Sequence, residues 1–309
     1  MFKKNLVSYF ERLFFRPNLL DWVIISILSP LSLLYATIMF FRRAFSSKKS
    51  YSVPIISIGN LTVGGSGKTP FVIALASRYD DTYIISRGYG RESRGLVEVS
   101  DRGNILVDVY QSGDEPMLMA KSLKKSSVIV SEDREVAIAL AISKGAKIIF
   151  LDDGFNRVNI KKFDILLFPK SIKNFMPFPA GPFREFLFSK YFADLSLIEE
   201  VDFRRIVEIV NPTKSMILVT AISNPHRLDK FLPEGVIDKI YLEDHAYFDK
   251  IKLEKRMKEL NASSLLLTQK DEVKMSKFNF SLSIMQLELN VESYIFKEID
   301  EYIKNFKKS

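Results

Sequence analysis

Short apolar runs alternate with amphipathic segments along most of the chain. Runs such as TYIIS (82–86), SVIVS (127–131) and FDILLF (163–168) predict buried strands, and DREVAIALAISKG (133–145) predicts a helix. Such alternation is typical of a mainly parallel sheet with helices on both faces. A second set of elements begins near residue 215, in which NPHRLDKFL predicts a helix. The pattern therefore predicts an α/β fold with a second, smaller α/β domain.

Residues 22–41 (WVIISILSPLSLLYATIMFF) form a stretch of twenty residues without a charged side chain. A stretch of this length can cross the hydrocarbon core of a bilayer. Basic residues lie on both sides of it, so the charge pattern gives no clear orientation, and Pro30 weakens a straight span. A kinked helix lying in the membrane interface fits equally well, and a buried core helix is the remaining alternative.

The segment VPIISIGNLTVGGSGKTPF (53–71) joins an apolar strand, a glycine-rich loop and the start of a helix. Loop amides and the helix N-terminus can bind phosphate, Lys68 adds a positive charge, and the Thr69 hydroxyl can bind Mg²⁺. The spacing departs from GxxxxGK[ST], because Thr62 stands where that pattern needs glycine. A structural glycine turn with a chance lysine is the alternative. The predicted phosphate-binding residues are Thr62, Val63, Gly64, Gly65, Ser66, Gly67, Lys68 and Thr69.

These observations divide the chain into three predicted parts. Residues 1–45 form a hydrophobic, membrane-associated segment, and residues 46–212 form a P-loop nucleotide-binding core. Residues 213–309 form a C-terminal α/β domain, because Asn211-Pro212 favours a turn at the boundary. The phosphate loop must meet nucleotide, so the catalytic part is expected to be cytoplasmic.

Several acidic and basic motifs follow the loop. Asp152 and Asp153 end the apolar run KIIFLDD, where an acid of a P-loop protein holds Mg²⁺ or orients its water; a surface turn is the alternative. GDEP (113–116) predicts a tight loop when it is taken alone. SRGYGRESRG (86–95) has the composition of an anion-binding loop, and TQKD (268–271) is only loosely similar to the base-reading turn of GTPases.

Composition narrows the classes of function. The 309-residue chain has no cysteine, which excludes disulfides and cysteine metal sites, and its two histidines, His226 and His245, exclude a histidine cluster. The net charge of +8 suits an anionic partner such as a phosphate or an acidic membrane. Its basic residues are scattered and no stacking motif accompanies them, so nucleic acid is not an expected partner.

Eight motifs occur in a family-specific order: GNLTVGGSGKTP, SRGYGR, GDEP, LDDGF, PAGPFRE, NPHR, DHAYF and TQKDEVK. Together they resemble the tetraacyldisaccharide 4′-kinases, the lipid A 4′-kinases of Gram-negative bacteria. That family has the same longer glycine spacing in its phosphate loop. The resemblance implies two α/β domains, ATP and Mg²⁺ as cofactors, and phosphoryl transfer to the 4′-hydroxyl of a tetraacylated glucosamine disaccharide 1-phosphate. It also implies action at the cytoplasmic face of the inner membrane; we expect a monomer.

The resemblance also assigns roles to residues. Asp114 matches the catalytic aspartate and His245 its partner histidine, which we expect domain closure to bring together. The predicted catalytic residues are Asp114, His245, Asp152 and Asp153. The predicted metal ligands are Thr69, Asp153 and Glu185. The predicted substrate-binding residues are Arg87, Tyr89, Arg91, Glu115 and Arg184. Many members have Gln-His where this chain has Asn156 and Arg157, so roles of that pair do not transfer.

Two other functions remain open at this point. One is a kinase that acts on another membrane-embedded alcohol, such as a polyprenol. The other is a membrane-anchored nucleotide switch that hydrolyses ATP or GTP to control a partner. A switch is expected to hydrolyse nucleotide under the control of a protein, whereas a kinase is expected to need an acceptor alcohol.

Overall fold

The computed structural model describes residues 2–64, 67–275 and 277–306. Its α-helices are α1 (Phe2–Phe15), α2 (Leu19–Ala44), α3 (Lys68–Ala76), α4 (Val109–Ser112), α5 (Asp114–Ser122), α6 (Arg134–Ser143), α7 (Lys250–Glu259), α8 (Gln269–Met275) and α9 (Ser293–Asn305). Its strands are β1 (Ile55–Gly59), β2 (Thr82–Ser86), β3 (Val97–Asp101), β4 (Asn104–Ile105), β5 (Ser127–Val130), β6 (Ile148–Asp152), β7 (Phe163–Phe168), β8 (Leu195–Ile198), β9 (Phe203–Val210), β10 (Met216–Thr220), β11 (Val236–Tyr241), β12 (Ser264–Thr268) and β13 (Leu282–Val291). Short 3₁₀ helices span Leu187–Phe192 and Pro225–Phe231.

The chain divides into two compact units. The first comprises Met1–Lys68, Asp153–Phe203 and Lys297–Ser309, and the second comprises Thr69–Asp152 and Arg204–Phe296. Each unit therefore combines segments that are distant in sequence. The domain boundaries predicted near residues 45 and 212 stay predictions.

The first unit contains the parallel strands β1, β7 and β8, with β7 in the middle. Every residue of β1 and β7 is buried, which accounts for their continuous apolar sequences. β1 ends at Gly59, where an added Cβ atom would lie 2.5 Å from the Cβ atom of Phe155. A glycine at this position therefore lets the segment after Asp153 pass close to the start of the phosphate loop.

The second unit contains strands in the order β4-β3-β5-β2-β6 and a separate five-stranded sheet in the order β11-β10-β12-β13-β9. β2 pairs in parallel with β5 and β6, while β3 is antiparallel to β5. In the separate sheet β10, β11, β12 and β13 pair in parallel. The predicted fold class, mainly parallel α/β with a second and smaller sheet, is confirmed.

Helix α2 contains the predicted apolar stretch and packs on the first unit along one narrow face. Its buried residues are Asp21, Ile25, Ser32, Ala36 and Arg43. These positions recur every four or seven residues, which places them on one side of a helix. Most of the remaining surface is apolar and exposed: only 17% of the most apolar window of α2 is buried. The helix has the length and hydropathy of a membrane span.

The helix continues through Pro30, which cannot donate a hydrogen bond to the carbonyl oxygen of Ser26. The hydroxyl of Ser29 donates to that oxygen instead, at 2.8 Å. At the N-terminus of α2, Asn18 and Asp21 form a capping box, in which each side chain accepts from the other residue's backbone amide. These local bonds explain why a sequence with an internal proline forms one helix of 26 residues.

Two predicted elements differ from the structure. GDEP is not a loop, because Asp114 begins α5 and Gly113 is its N-cap residue, with a φ of 86°. NPHRLDKFL contains a 3₁₀ helix from Pro225 to Phe231 rather than an α-helix. The predicted strands and helices quoted above from residues 82–168 are all present, with ends shifted by at most two residues.

Candidate functional site

The phosphate loop connects β1 to the start of α3. Gly64 and Gly67 have φ values of 95° and 78°, a backbone conformation that favours glycine. Gly65 and Ser66 lie outside the described residues. Thr62 pairs with Phe183 in an isolated β-bridge, and the Val63 amide donates to the Pro182 carbonyl oxygen at 2.8 Å. The Val63 amide is therefore hydrogen-bonded within the protein. Gly64 and Gly67 allow the backbone of the loop to turn.

Lys68 lies at the first position of α3, where its side chain reaches two oxygen groups. Its Nζ atom donates to Asn60 Oδ1 at 3.0 Å and lies 3.4 Å from Asp153 Oδ1. Asn60 is itself 2% exposed and donates from Nδ2 to the Thr62 carbonyl oxygen at 2.7 Å. Asn60 thus connects Lys68 to the phosphate loop through hydrogen bonds. The sequence did not indicate this role.

Asp153 has φ of 53° and is 40% exposed in its side chain. Arg184 Nη1 lies 3.2 Å from its Oδ2 atom, so Asp153 has a cation on each side. Burial raises the pKa of the Asp153 carboxyl, but the charges of Lys68 and Arg184 outweigh it and hold that pKa below its usual range. Asp153 is therefore a carboxylate at neutral pH and is within reach of the lysine of the phosphate loop.

The donor set fits a magnesium ion bound together with a nucleotide. Among residues 2–64, 67–275 and 277–306, no group of three or more His, Asp or Glu side chains could hold a metal ion by itself. Mg²⁺ usually keeps several waters and is bound through one or two carboxylates plus substrate phosphates. The partly exposed carboxylate of Asp153 meets that requirement, and the Thr69 hydroxyl is an oxygen ligand of the right type. Thr69 is 8% exposed at the start of α3.

Asp152 ends β6 in the second unit and is 4% exposed. Its Oδ2 atom accepts a hydrogen bond from Ser86 Oγ at 2.9 Å, at the end of the neighbouring strand β2. Its carbonyl oxygen accepts from Arg134 Nη2 at 3.3 Å. The carboxyl ends of two parallel strands thus bring a serine and an acid together, and Ser86 had no role in the sequence-based prediction.

Glu185 is 1% exposed and forms an ion pair with Arg43, near the end of α2. Arg43 Nη2 lies 2.6 Å from Oε1 and Nε lies 2.7 Å from Oε2, so both carboxylate oxygens are engaged. The guanidinium also donates to the Phe155 carbonyl oxygen at 3.2 Å and lies 3.8 Å from the centre of the Phe155 ring. Metal binding by Glu185 stays a prediction, and in this structure Arg43 occupies its carboxylate.

The second unit brings Asp114 and His245 together. His245 Nδ1 lies 2.9 Å from both Oδ1 and Oδ2 of Asp114, which is 4% exposed. Asp114 begins α5, where a negative charge interacts favourably with the helix dipole. The side chain of His245 is 18% exposed, so one edge of the pair is accessible. Two residues 131 positions apart therefore form the acid–histidine pair that the family resemblance implies.

Backbone contacts fix the positions of both residues of this pair. His245 has φ of 63°, and its amide donates to the Ala221 carbonyl oxygen at 3.1 Å, which fixes the turn after β11. The ring of Tyr89 lies 5.1 Å from the imidazole, centre to centre. A Cβ atom at Gly113 would lie 3.0 Å from the Tyr89 carbonyl oxygen. Glycine at position 113 therefore lets the loop that carries Tyr89 pass over the start of α5.

Charges around Asp114 keep it ionised. Burial raises the pKa of its carboxyl, but the hydrogen bond from His245 and the nearby charges of Lys270 and Lys274 outweigh burial. The pKa of Asp114 is therefore below its usual range. A carboxylate paired with a histidine at hydrogen-bond distance can accept a proton from a hydroxyl group.

The predicted basic loop surrounds a hollow of about 350 Å³ lined by residues 87–94 and Glu132. Arg87 and Tyr89 are exposed, as is Arg94. Arg91 differs, because its side chain is 3% exposed and its Nη2 atom donates to Glu132 Oε1 and the Gly95 carbonyl oxygen, both at 2.6 Å. Arg91 thus shapes the loop, while Arg87 and Arg94 present positive charge to solvent.

The other two predicted substrate-binding residues, Arg184 and Glu115, each form an ion pair. Arg184 contacts Asp153, as described above, and Glu115 Oε1 lies 3.1 Å from Lys270 Nζ. Asn156 and Arg157, which stand where many family members have Gln-His, form hydrogen bonds through their backbone. The Asn156 carbonyl oxygen accepts from Arg42 at 3.5 Å, and the Arg157 carbonyl oxygen accepts from Lys162 at 2.9 Å.

The chain is similar to known proteins over most of its length. A family model described as tetraacyldisaccharide-1-P 4′-kinase matches residues 24–306. The chain belongs to this family. The tetraacyldisaccharide 4′-kinase of Helicobacter pylori (strain ATCC 700392 / 26695) is 48% identical over 96% of each chain. That of Aliarcobacter butzleri (strain RM4018) is 44% identical over 99% of this chain and 100% of the relative.

A solved structure shows the same fold. It is named as the “apo” form of LpxK from Aquifex aeolicus in complex with ATP, and it is 30% identical with a TM-score of 0.77. The match covers 91% of this chain and 99% of that one. The predicted family and its kinase class of enzyme are confirmed, and the nucleotide named for the neighbour is the predicted one.

Proposed function

We propose that this chain transfers the γ-phosphate of ATP to the 4′-hydroxyl of a tetraacylated glucosamine disaccharide 1-phosphate. The observation that carries this assignment is the buried Asp114–His245 pair, which provides an ionised base for an alcohol acceptor. The names of the relatives supply the acceptor. A hydroxyl of a sugar is a weak nucleophile, so a positioned base typically accelerates its reaction by ~10²–10⁴-fold.

The donor side of the reaction is assigned to the phosphate loop. Lys68 and the loop amides bind the β- and γ-phosphates, and Arg184 adds a second positive charge beside Asp153. Thr69 and Asp153 would hold Mg²⁺, which when bound neutralises charge on the phosphates. Each side chain here contributes position and charge, which is the main requirement of phosphoryl transfer.

The acceptor side is assigned to the acid–histidine pair. Asp114 removes the proton of the 4′-hydroxyl, and His245 orients the carboxylate through its Nδ1 atom. We assign binding of the substrate's 1-phosphate to the exposed cations Arg87 and Arg94, because guanidinium groups can bind phosphate through paired hydrogen bonds. The Tyr89 ring lies next to the imidazole, with the two rings tilted by 54°.

We further propose that α2 binds the cytoplasmic face of the inner membrane. A substrate with four acyl chains stays in the bilayer, since each buried CH₂ group contributes about 0.8 kcal/mol. Helix α2 exposes large apolar side chains along most of its length, including Ile27 and Leu31 at 72% and 55% exposure. Its one buried face contacts protein, so a helix lying in the interface suits it better than a free span.

Acceptor dependence tests the kinase assignment. We expect the purified full chain, in detergent with Mg-ATP, to form ADP only when the disaccharide 1-phosphate is present, and to yield a 4′-phosphorylated product. A polyprenol in place of the disaccharide should give no product. Rapid ATP or GTP hydrolysis without any acceptor would instead favour a nucleotide switch and contradict the assignment.

A further inference from the structure

Two lysines of α8 reach Asp114 from one side. TQKD (268–271), to which the transfer reaction assigns no role, ends β12 and begins α8. Lys270 and Lys274 are four residues apart, so they project from one face of the helix. Their Nζ atoms lie 3.8 Å and 3.6 Å from Asp114 Oδ2. Both lysines thus contribute to the charge that surrounds the base.

Lys274 is buried, and its contacts stabilise the local fold. Its side chain is 1% exposed, its Nζ atom donates to the Ala246 carbonyl oxygen at 3.1 Å, and it lies 3.5 Å from Asp271 Oδ1. Asp271 also accepts from Thr220 Oγ1 and Thr268 Oγ1, both at 2.7 Å. The charge of Lys274 is therefore compensated by an acid of its own helix, and the lysine fixes the segment that follows His245.

Lys270 has a different environment. Its side chain is 18% exposed, and its Nζ atom lies 3.1 Å from Glu115 Oε1 and 3.6 Å from Asp244 Oδ1, besides its contact with Asp114. One accessible ammonium group thus faces three carboxylates. Burial lowers the pKa of Lys270, but these three carboxylates outweigh burial and raise it above its usual value. The ammonium is therefore charged at neutral and acidic pH.

We propose that Lys270 is a positioning residue that keeps Asp114 ionised and oriented against His245. The proposal rests on the function assigned to that pair. Lys270 bridges Asp244, the residue before the histidine, to Asp114 and its neighbour Glu115. It therefore connects the turn that carries the histidine to the start of α5, and it balances the negative charge collected there.

Loss of the ammonium should change the proton affinity of the base. The carboxylates of Asp114, Glu115 and Asp244 would then lose the ammonium that they share, so Asp114 would bind a proton at a higher pH. A protonated base cannot accept the proton of the substrate. The titratable and charged groups around Asp114 and Lys270 are His245, Lys274, Asp271, Glu115, Asp244 and Tyr247.

The test is the pH profile of transfer by the full chain in detergent micelles. We expect Lys270→Met to reduce kcat/KM relative to the unchanged protein about twofold more at pH 5.5 than at pH 8.5, because loss of a close opposite charge raises the pKa of a carboxyl by about 1–3 units. Lys270→Arg, which keeps the charge, should restore most of the activity at pH 5.5. Lys239→Met is the matched control, because this lysine pairs with Asp229 and is 40% exposed.

The outcomes separate this inference from the assigned function. An equal loss at both pH values, or no loss, would overturn the role of Lys270. If Asp114→Asn is inactive at both pH values while Lys270→Met keeps the normal profile, the assigned function stands and only this inference fails. Full transfer by Asp114→Asn would contradict both. Lys270→Gln, which also removes the charge, provides the same comparison if the methionine variant does not fold.

Discussion

The Arg43–Glu185 pair gives a quantitative prediction about how α2 is attached. The two side chains are 5% and 1% exposed, and their charged atoms lie 2.6 and 2.7 Å apart. Arg43→Met would leave the carboxylate of Glu185 buried without its cation. Removing one partner of a buried ion pair costs about 3–5 kcal/mol. We therefore expect Arg43→Met to lower the free energy of unfolding by about 3–5 kcal/mol.

A double-mutant cycle measures this interaction. Urea unfolding of the full chain in detergent, followed by circular dichroism, gives the free energy for Arg43→Met, Glu185→Leu and the double variant. The double variant should recover most of the loss, because replacing both charges by apolar groups is often nearly neutral. Arg42→Met is the control: its side chain is exposed, so a change within about 0.5 kcal/mol is expected.

Two results would refute the reasoning. A loss of unfolding free energy below about 1 kcal/mol in Arg43→Met would show that the Glu185 carboxylate does not depend on Arg43, and would contradict a buried pair. Glu185→Gln gives the second check. A raised Mg²⁺ requirement for transfer, with unchanged stability, would identify Glu185 as a metal ligand rather than as the anchor of Arg43.

Four further predictions concern other parts of the molecule. Lys68→Met should weaken ATP binding about 10–100-fold, measured by calorimetry, because a charge-assisted hydrogen bond contributes about 1.5–3 kcal/mol; unchanged binding would contradict the phosphate loop. Gly59→Ala should lower the free energy of unfolding by about 1–3 kcal/mol in urea, since its Cβ atom would lie 2.5 Å from that of Phe155. Folding lowers the pKa of the Asp114 carboxyl. The ionised carboxylate therefore stabilises the folded state above the unfolded pKa of 3.8, and this stabilisation is lost as pH falls through the lower pKa of the folded state. In Asp114→Asn, the free energy of unfolding should therefore depend less on pH in this acidic range. Ile27→Glu with Leu31→Glu should abolish flotation with anionic vesicles while leaving the unfolding free energy within about 1 kcal/mol, and retained flotation would contradict the proposed membrane contact.

Elements with strong local signals could be predicted from the sequence. The continuous apolar runs of β2 and β7 are buried along their whole length, and Asp133 caps α6 where the acid before the amphipathic run indicated a helix start. The start of α5 at GDEP could not be predicted from the sequence, because Gly, Asp and Pro favour turns. In the structure Gly113, with a φ of 86°, separates α4 from α5, so these residues start a helix.

The candidate site was predictable only where a family motif identified it. The motifs singled out Asp114 and His245, and the structure places them 2.9 Å apart. Contacts between distant segments left no local signal: Arg43 and Glu185 are 142 residues apart, and Lys270 lies 155 residues from its partner Glu115. A pattern along one segment cannot show which distant charge will compensate a buried acid.

Transfer of labelled γ-phosphate from ATP to the disaccharide 1-phosphate, compared between the unchanged chain and Asp114→Asn, tests the assigned function most directly. We expect the variant to bind ATP with a dissociation constant within about threefold of the unchanged chain. Its kcat should fall by ~10²–10⁴-fold, the usual contribution of a general base. A variant that transfers phosphate to the 4′-hydroxyl at the full rate would show that Asp114 is not the base.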